Sequence, residues 1–258
     1  MQDLKVTLIQ ARQFWEDKQA NLAHFDGLLK TVDQTDLILL PEMFHTSFSM
    51  NPAALAEGMD DSIALQWLKE KAREKNSAIY TSFIAKEKDS FFNRGIFMFP
   101  SGEFEIYDKR KLFGLAGEDH VFTPGDKKVI VAYNGWKILL QICYDLRFPE
   151  ISRNAVSENG TADFDLILYV ANWPERRAIH WKSLLVARAI ENQCYVAGLN
   201  RVGSDGKDLN YSGDSDVFTL LGDKLGNMQL NQETAETIQL NYDELQKTRT
   251  QLPFLRDI

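Results

Sequence analysis

Four side chains of this 258-residue chain have types and settings suited to acyl transfer: Glu42, Lys109, Glu118 and Cys143. An unassisted thiol has a pKa of about 8.5, so only a few per cent is thiolate at neutral pH. A nearby carboxylate can take the thiol proton as the sulfur attacks. A lysine ammonium can stabilise both a thiolate and the oxyanion of a tetrahedral intermediate. All four lie at the ends of apolar runs or in adjacent loops, where sheet proteins build sites. Each also has a plainer reading. Cys143 can be a small core residue, as free cysteine often is. Glu42 can be solvated or paired with a cation, and Asp108-Lys109-Arg110-Lys111 can be a solvated charge run. Spacing alone does not choose between these readings.

The elements that must position them can be read from hydrophobic periodicity. Ile138 to Ile142 has the length and type of a buried strand, and Cys143 sits where it stops. Leu4 to Gln10 predicts a first strand. Residues 17–32 predict a helix, with Leu22, Phe25, Leu28, Leu29 and Val32 at helical spacing. Residues 36–40 form a short buried strand that stops at Pro41, just before Glu42. A second helix is expected over 61–75, then strands at 77–85, 91–99 and 103–107 in antiparallel hairpins, the last ending next to Lys109. Leu112 to Asp126 reads as a long irregular loop carrying Glu118, and loops of that length in a compact domain are more often functional. Strands at 127–132 and 136–142 flank an Asn134-Gly135 hairpin signal. Beyond Cys143 the pattern predicts a helix over 148–157, a strand at 164–170 broken by Asn172-Trp173-Pro174, a helix over 179–192 and a strand at 194–199. Cys194 reads as core. Short strands at 217–221, 225–230 and 237–240 precede a short helix from Asp243 and an arm ending Pro253-Phe254-Leu255. There is no internal repeat and no linker. The expectation is one α/β domain over 1–258, with a C-terminal arm from about 243.

Hydrophobic content is 44%, charged content 26% and formal net charge −8, which argues against nucleic acid or an anionic membrane surface as the main partner. The first residues lack a basic segment followed by an apolar one, and no apolar run approaches about 18 residues, so neither secretion nor membrane insertion is expected. Two cysteines without a C-x-x-C pattern suit a reducing cytoplasm. Asn159-Gly160-Thr161 is formally a glycosylation sequon but carries no meaning without a secretory signal. G-x-S-x-G, H-E-x-x-H, P-loop and G-x-G-x-x-G patterns are all missing. The four histidines do not cluster with the cysteines as metal ligands would. His45 and His120 lie in loops beside the candidate residues, where they could line a site or be structural.

The segments L-L-P-E-M-F around Glu42, Y-D-K-R-K-L-F around Lys109 and I-C-Y-D-L-R-F-P-E around Cys143 resemble the three signature motifs of the nitrilase superfamily, in that family's order. The resemblance runs over nearly the whole chain. It implies a four-layer αββα sandwich and a hydrolase of non-peptide carbon–nitrogen bonds. It further implies Cys143 as nucleophile, Glu42 as general base, Lys109 as oxyanion stabiliser, Glu118 as a second positioning glutamate and the Tyr144 N–H as a second oxyanion donor. No metal or organic cofactor is implied. One departure stands out: where the family often has His two residues after the lysine, this chain has Lys111. Lys111 therefore remains the alternative to Lys109.

A-N-W-P from Ala171 and A-R-A-I-E-N-Q from Ala187 resemble the omega-amidase branch. That implies hydrolysis of 2-oxoglutaramate or 2-oxosuccinamate to the 2-oxo acid and ammonia through a thioester. A cation should then receive the substrate carboxylate, with Arg176 and Arg177 as candidates and a solvated loop as the alternative. Arg147 is expected to brace the site by pairing with Glu150 or another carboxylate. Phe44, Phe113, Tyr144 and Trp173 are candidates for pocket walls. The competing readings are a nitrilase, an N-carbamoyl hydrolase, or a non-catalytic binding protein on the same fold. The family resemblance also suggests a homodimer or larger homo-oligomer, and the apolar C-terminal arm would suit an interface.

Overall fold

The computed structural model describes residues 2–157 and 160–257, so Asn159 and its sequon reading lie outside the described residues. The N-terminal half contains β1 (Leu4–Gln10), α1 (Lys18–Leu29), β2 (Leu37–Leu39), the single turn α2 (Pro52–Leu55), α3 (Ile63–Lys75), β3 (Ala78–Glu87), β4 (Ser90–Met98) and β5 (Phe104–Asp108). The single turn α4 (Glu118–Val121) follows, then β6 (Ile130–Tyr133), β7 (Trp136–Ile142), β8 (Leu166–Ala171), α5 (Ala178–Asn192) and β9 (Tyr195–Asn200). The chain continues through β10 (Val202–Ser204), β11 (Asn210–Ser212), β12 (Asp216–Phe218), β13 (Thr234–Leu240) and α6 (Tyr242–Gln251).

Among the described residues the strands make a six-stranded sheet of order β13-β1-β2-β3-β4-β5, a five-stranded sheet of order β12-β9-β8-β7-β6 and the β10–β11 hairpin. The two sheets face each other, with helices outside, in an αββα sandwich. The two-residue strand period explains how. Leu4, Val6 and Leu8 of β1, Leu37 and Leu39 of β2, and Ala78 and Tyr80 of β3 pack between the sheets against Ile138, Leu140 and Ile142 of β7. The alternate positions Ile9, Ile38 and Ile79 turn outward, where Leu22, Phe25 and Leu29 of α1 and Leu65, Trp67, Leu68 and Ala72 of α3 cover them. On the other face α5 presents Trp181, Leu185 and Ala189 to the second sheet. Tyr80 Oη donates to the Gln141 carbonyl across the sandwich (3.1 Å), tying the sheets together next to the cysteine strand. No helix among the described residues is long and apolar enough to cross a membrane.

Two expected elements are absent, each for a tertiary reason. The helix expected over 148–157 is one short 3₁₀ turn, Pro149–Ile151, followed by irregular chain; another 3₁₀ turn, Cys143–Arg147, precedes it. Asn154 competes with the helix: its side chain donates to the Phe164 and Asn192 carbonyls (3.0 and 2.9 Å) and accepts from the N–H groups of Ala155 and Phe164 (3.1 and 3.3 Å). The strand expected over 225–230 is also missing, because its backbone is held by side chains rather than a ladder. The Gly226 N–H donates to Asp216 and the Asn227 N–H to Glu236 (2.8 and 2.9 Å). The β10–β11 hairpin, by contrast, falls in a stretch whose pattern gave no strand. The expected arm is α6 and a last 3₁₀ turn, with Leu245 packed into the core that includes the second sheet, Leu255 buried and Phe254 exposed.

Candidate active site

In the second sheet β7, β8 and β9 run parallel, and their C-terminal ends deliver Cys143, Asn172 and Arg201 in succession. The ends of parallel strands are where open sheets build sites. From the facing sheet, Glu42 arrives three residues after β2 and Lys109 directly after β5. Backbone strain sharpens both loops. Cys143 has φ +46° and Met43 φ +48°, conformations costly for a non-glycine residue and held only where surroundings over-determine them. The long loop is drawn back to β5 by the Gly125 N–H donating to the Lys109 carbonyl (2.9 Å). A Cβ on Gly125 would lie 2.2 Å from the Asp108 carbonyl oxygen, so only glycine permits this approach.

The structure brings Glu42, Lys109, Glu118 and Cys143 together beneath the surface. Lys109 Nζ donates to Glu42 Oε1 (2.8 Å) and to both Glu118 oxygens (3.0 and 2.9 Å), with all three side chains fully shielded from solvent. Lys111 makes different contacts: it pairs with Glu150 (3.2 Å) and lies 4.6 Å from the Phe148 ring centroid. Burial pulls the Lys109 ammonium down, but Glu118 and Glu42 outweigh it and hold the pKa above the ordinary lysine value. Burial pushes the Cys143 thiol well above its usual range and Glu42 adds to this, with Lys109 opposing. Glu118 is also raised, chiefly by burial. At rest the sulfur is therefore a thiol, and it needs a base at the moment of attack. The Tyr144 N–H lies in the first turn of the 3₁₀ segment, where amides have no intrahelical acceptor.

Three polar residues complete the group, and the motif reading did not assign them. Asn93, in the middle of β4, donates through Nδ2 to Glu42 (2.8 Å) and Glu118 (3.0 Å). An asparagine inside a strand is unusual, and that was the available signal. The Asn172 N–H donates to Glu42 Oε2 (2.9 Å). Asp145 accepts from the Ile142 N–H (2.9 Å), Tyr107 Oη (2.7 Å) and the Lys111 N–H (2.9 Å), fastening the cysteine turn to the end of β5. Burial raises the Asp145 pKa to about 6, despite these donors.

Cys143 opens into a cavity of about 240 Å³. Phe113, Tyr144 and Trp173 line it, as do Phe48, Met50 and Tyr211. Phe44 does not: it is fully buried in the outer layer against Phe25 and Trp67 (ring centroids 5.9 and 5.4 Å), which corrects its reading as a wall. The left-handed Met43 turns the chain, and the Phe44 N–H donates to the Ser82 carbonyl (3.1 Å), so the ring faces the helices. Arg176 and Arg177 reach the cavity, Arg177 lying 5.1 Å from the Phe113 ring centroid. Arg147 lines it too and does not brace through Glu150. Its guanidinium lies 4.7 Å from the Trp173 ring centroid and 3.1 Å from His180 Nδ1, and it has no carboxylate partner among the described residues.

Neither histidine beside the motifs lines the cavity. His120 is exposed, and His45 is buried behind Phe44 with Nε2 2.9 Å from Glu57. Glu57 also accepts from Lys18 (2.8 Å) and Ser62 (2.6 Å). Burial would raise the Glu57 carboxyl, but His45, Lys18 and Ser62 together hold it well below its usual value of 4.5. A depressed folded pKa means stability that is complete above the unfolded value and lost as pH falls below it. Glu57→Gln should therefore lower the melting temperature by about 3 °C or more at neutral pH. The gap to wild type should narrow on acidification below about 4.5. Thermal melts of both proteins between neutral and acid pH check it; a gap that is constant with pH would contradict this account.

Fold and site together define a carbon–nitrogen hydrolase. The sequence pattern of the family described as "Carbon-nitrogen hydrolase" matches residues 5–250, and the chain belongs to that family. It is 43% identical over 257 residues to "Omega-amidase YafV" of Yersinia enterocolitica, covering 100% of this chain and 97% of that protein. It is 31% identical over 231 residues to "2-oxoglutaramate amidase" of Bacillus subtilis, covering 89% and 87%. A solved carbon–nitrogen hydrolase superfamily protein from Xanthomonas campestris, with an arsenic adduct in its active site, superposes with TM-score 0.96 at 39% identity, covering 100% and 98% of the two chains.

Proposed function

We propose that this protein is an omega-amidase, hydrolysing 2-oxoglutaramate or 2-oxosuccinamate to the 2-oxo acid and ammonia. The observation that carries this reading is a buried Glu42–Lys109–Glu118 group beneath Cys143, at one end of a cavity whose other walls hold arginines. Relatives named for the same reaction support it. Cys143 Sγ attacks the amide carbonyl carbon as Glu42 takes the thiol proton. The oxyanion is received by the Tyr144 N–H and by Lys109. Lys109 can spare a donor because its contact with Glu118 is two-fold. Glu42 then protonates the departing nitrogen, ammonia leaves, and a thioester remains. Water attacks the thioester with Glu42 again as base, and the proton returns to sulfur.

The carboxylate end of the substrate meets Arg147 and Arg177, with Arg176 at the rim. Arg147 is free of carboxylates among the described residues, and both guanidinium groups lie over aromatic rings that hold them in place. Arg177→Met should raise KM for the oxo-amide about tenfold, and change kcat much less. An amide of similar length without the carboxylate should be hydrolysed equally by both proteins. Steady-state kinetics on the two substrates decide it; an equal loss on both would contradict the assignment.

The same reading includes one catalytic domain over the chain, with the C-terminal segment from about 243 as an arm, a cytoplasmic setting and a homodimer or larger assembly. Exposed Ile179 and Ile190 on α5, Leu221 after β12 and Phe254 on the arm support association.

A further inference from the structure

We propose that Arg201 is a positioning residue that fixes the base Glu42 from behind, a proposal that rests on the reading of Glu42 and Cys143 given above. Arg201 follows β9 directly, is fully buried and does not line the cavity. Among the described residues it has no carboxylate partner, unusual for a buried cation, since buried charges are normally paired. Its donors go instead to neutral groups, and three of these surround Glu42. Nη1 donates to Ser47 Oγ (2.6 Å) and reaches Asn172 Oδ1 (3.5 Å), and Nη2 donates to the Gln13 carbonyl (3.1 Å).

Each contacted residue acts on the Glu42 loop. Asn172 Nδ2 donates to the Glu42 carbonyl (2.6 Å), and Gln13 Nε2 donates to the Glu42 and Met43 carbonyls (3.1 and 2.9 Å). The Ser47 N–H closes the turn onto the Met43 carbonyl (2.9 Å). Asn172 also touches both reacting groups. Its N–H holds Glu42 Oε2 (2.9 Å), and its carbonyl lies 4.0 Å from Cys143 Sγ. An amide side chain can sit either way round. The guanidinium beside Oδ1 excludes the flipped state, which would face Nδ2 to the cation and Oδ1 to the Glu42 carbonyl. Stacking on Tyr211, 4.7 Å from ring centroid to guanidinium, holds Arg201 in turn. Its remaining side-chain contacts, to the Val202 and Ser204 carbonyls (3.2 and 2.8 Å), anchor it to β10.

The test is a cycle of Arg201→Met, Arg201→Lys, Asn172→Ala and the double variants, with Glu42→Gln alongside. Ammonia release gives kcat and KM, and alkylation of Cys143 by iodoacetamide gives a readout that needs no substrate assignment. Arg201→Met should lower kcat about 30-fold and slow alkylation in parallel, with KM within about threefold. Arg201→Lys, which keeps the charge, should recover part of the loss. In the Asn172→Ala background the cost of either Arg201 change should shrink at least about threefold, because the two act in one chain. Strictly additive losses, or an unchanged kcat with only a lower melting temperature, would overturn the proposal. If Arg201→Met does not fold, the Arg201→Lys and Asn172→Ala cycle carries the same test. Full activity and alkylation in Glu42→Gln would instead overturn the underlying reading of Glu42.

Discussion

Cys143→Ala should lower ammonia release from the oxo-amide by roughly 10⁴-fold or more, while leaving substrate affinity close to wild type. The two halves of this result have separate causes. Activity is lost because, among the described residues, no second thiol lines the cavity: Cys194 is fully buried away from it, and burial raises its thiol as well. Affinity is kept because the resting Cys143 is a thiol. Its removal deletes no charge, so the Glu42–Lys109–Glu118 balance and the arginines on the opposite wall are undisturbed. Equilibrium binding of the oxo-amide to the inactive variant, by calorimetry, tests the second half. Affinity lost together with activity would place Cys143 in ground-state binding rather than in bond making.

Lys109→Met should be damaging in two measurable ways. The lysine is the sole cation contacting Glu42 and Glu118 among the described residues, and all three are buried. Breaking a buried ion group by removing one member leaves uncompensated charge, at a cost of about 3–5 kcal/mol. Two carboxylates facing each other cannot both stay ionised, so one is pushed up in pKa in the folded variant. A raised folded pKa favours the native state at low pH and penalises it as pH rises through that value. The variant should therefore recover stability relative to wild type on acidification, here because the variant gains stability, whereas for Glu57→Gln the gap narrows because wild type loses it. Turnover should fall roughly 10³-fold, the scale of an oxyanion donor, even where the variant is folded. Denaturant melts at neutral and mildly acid pH, with kcat at each, check both effects. Near-wild-type turnover would remove Lys109 from the mechanism.

What the sequence made legible follows a physical rule. A buried strand that ends abruptly in a polar residue marks a site, and this picked out Glu42 and Cys143. Asn172 and Arg201 carry the same mark, at the ends of β8 and β9. In the sequence Asn172 marks a strand break and part of the A-N-W-P resemblance but no role, and nothing in the linear pattern singles out Arg201, because which strand ends lie side by side is a fact of sheet order. The neighbourhood of a motif proved a poor guide to direction. Phe44 is two residues from Glu42 yet faces the opposite layer, because Met43 reverses the chain. Arg147 and Lys111 divided their partners in a way that linear spacing does not fix: Glu150 went to Lys111, leaving Arg147 for the cavity. The helix expected over 148–157 yielded to Asn154, whose bonds to Phe164 and Asn192 form only after β8 and α5 are in place.

The central claim is a thioester at Cys143, and partitioning tests it most directly. The amide and the methyl ester of the same 2-oxo acyl group would be turned over at a fixed hydroxylamine concentration, and the ratio of hydroxamate to free acid measured for each. A shared acyl-enzyme no longer contains the leaving group, so the account predicts one ratio for both substrates. A ratio that changes with the leaving group would mean that water and hydroxylamine attack the substrate itself, and the covalent account would fall.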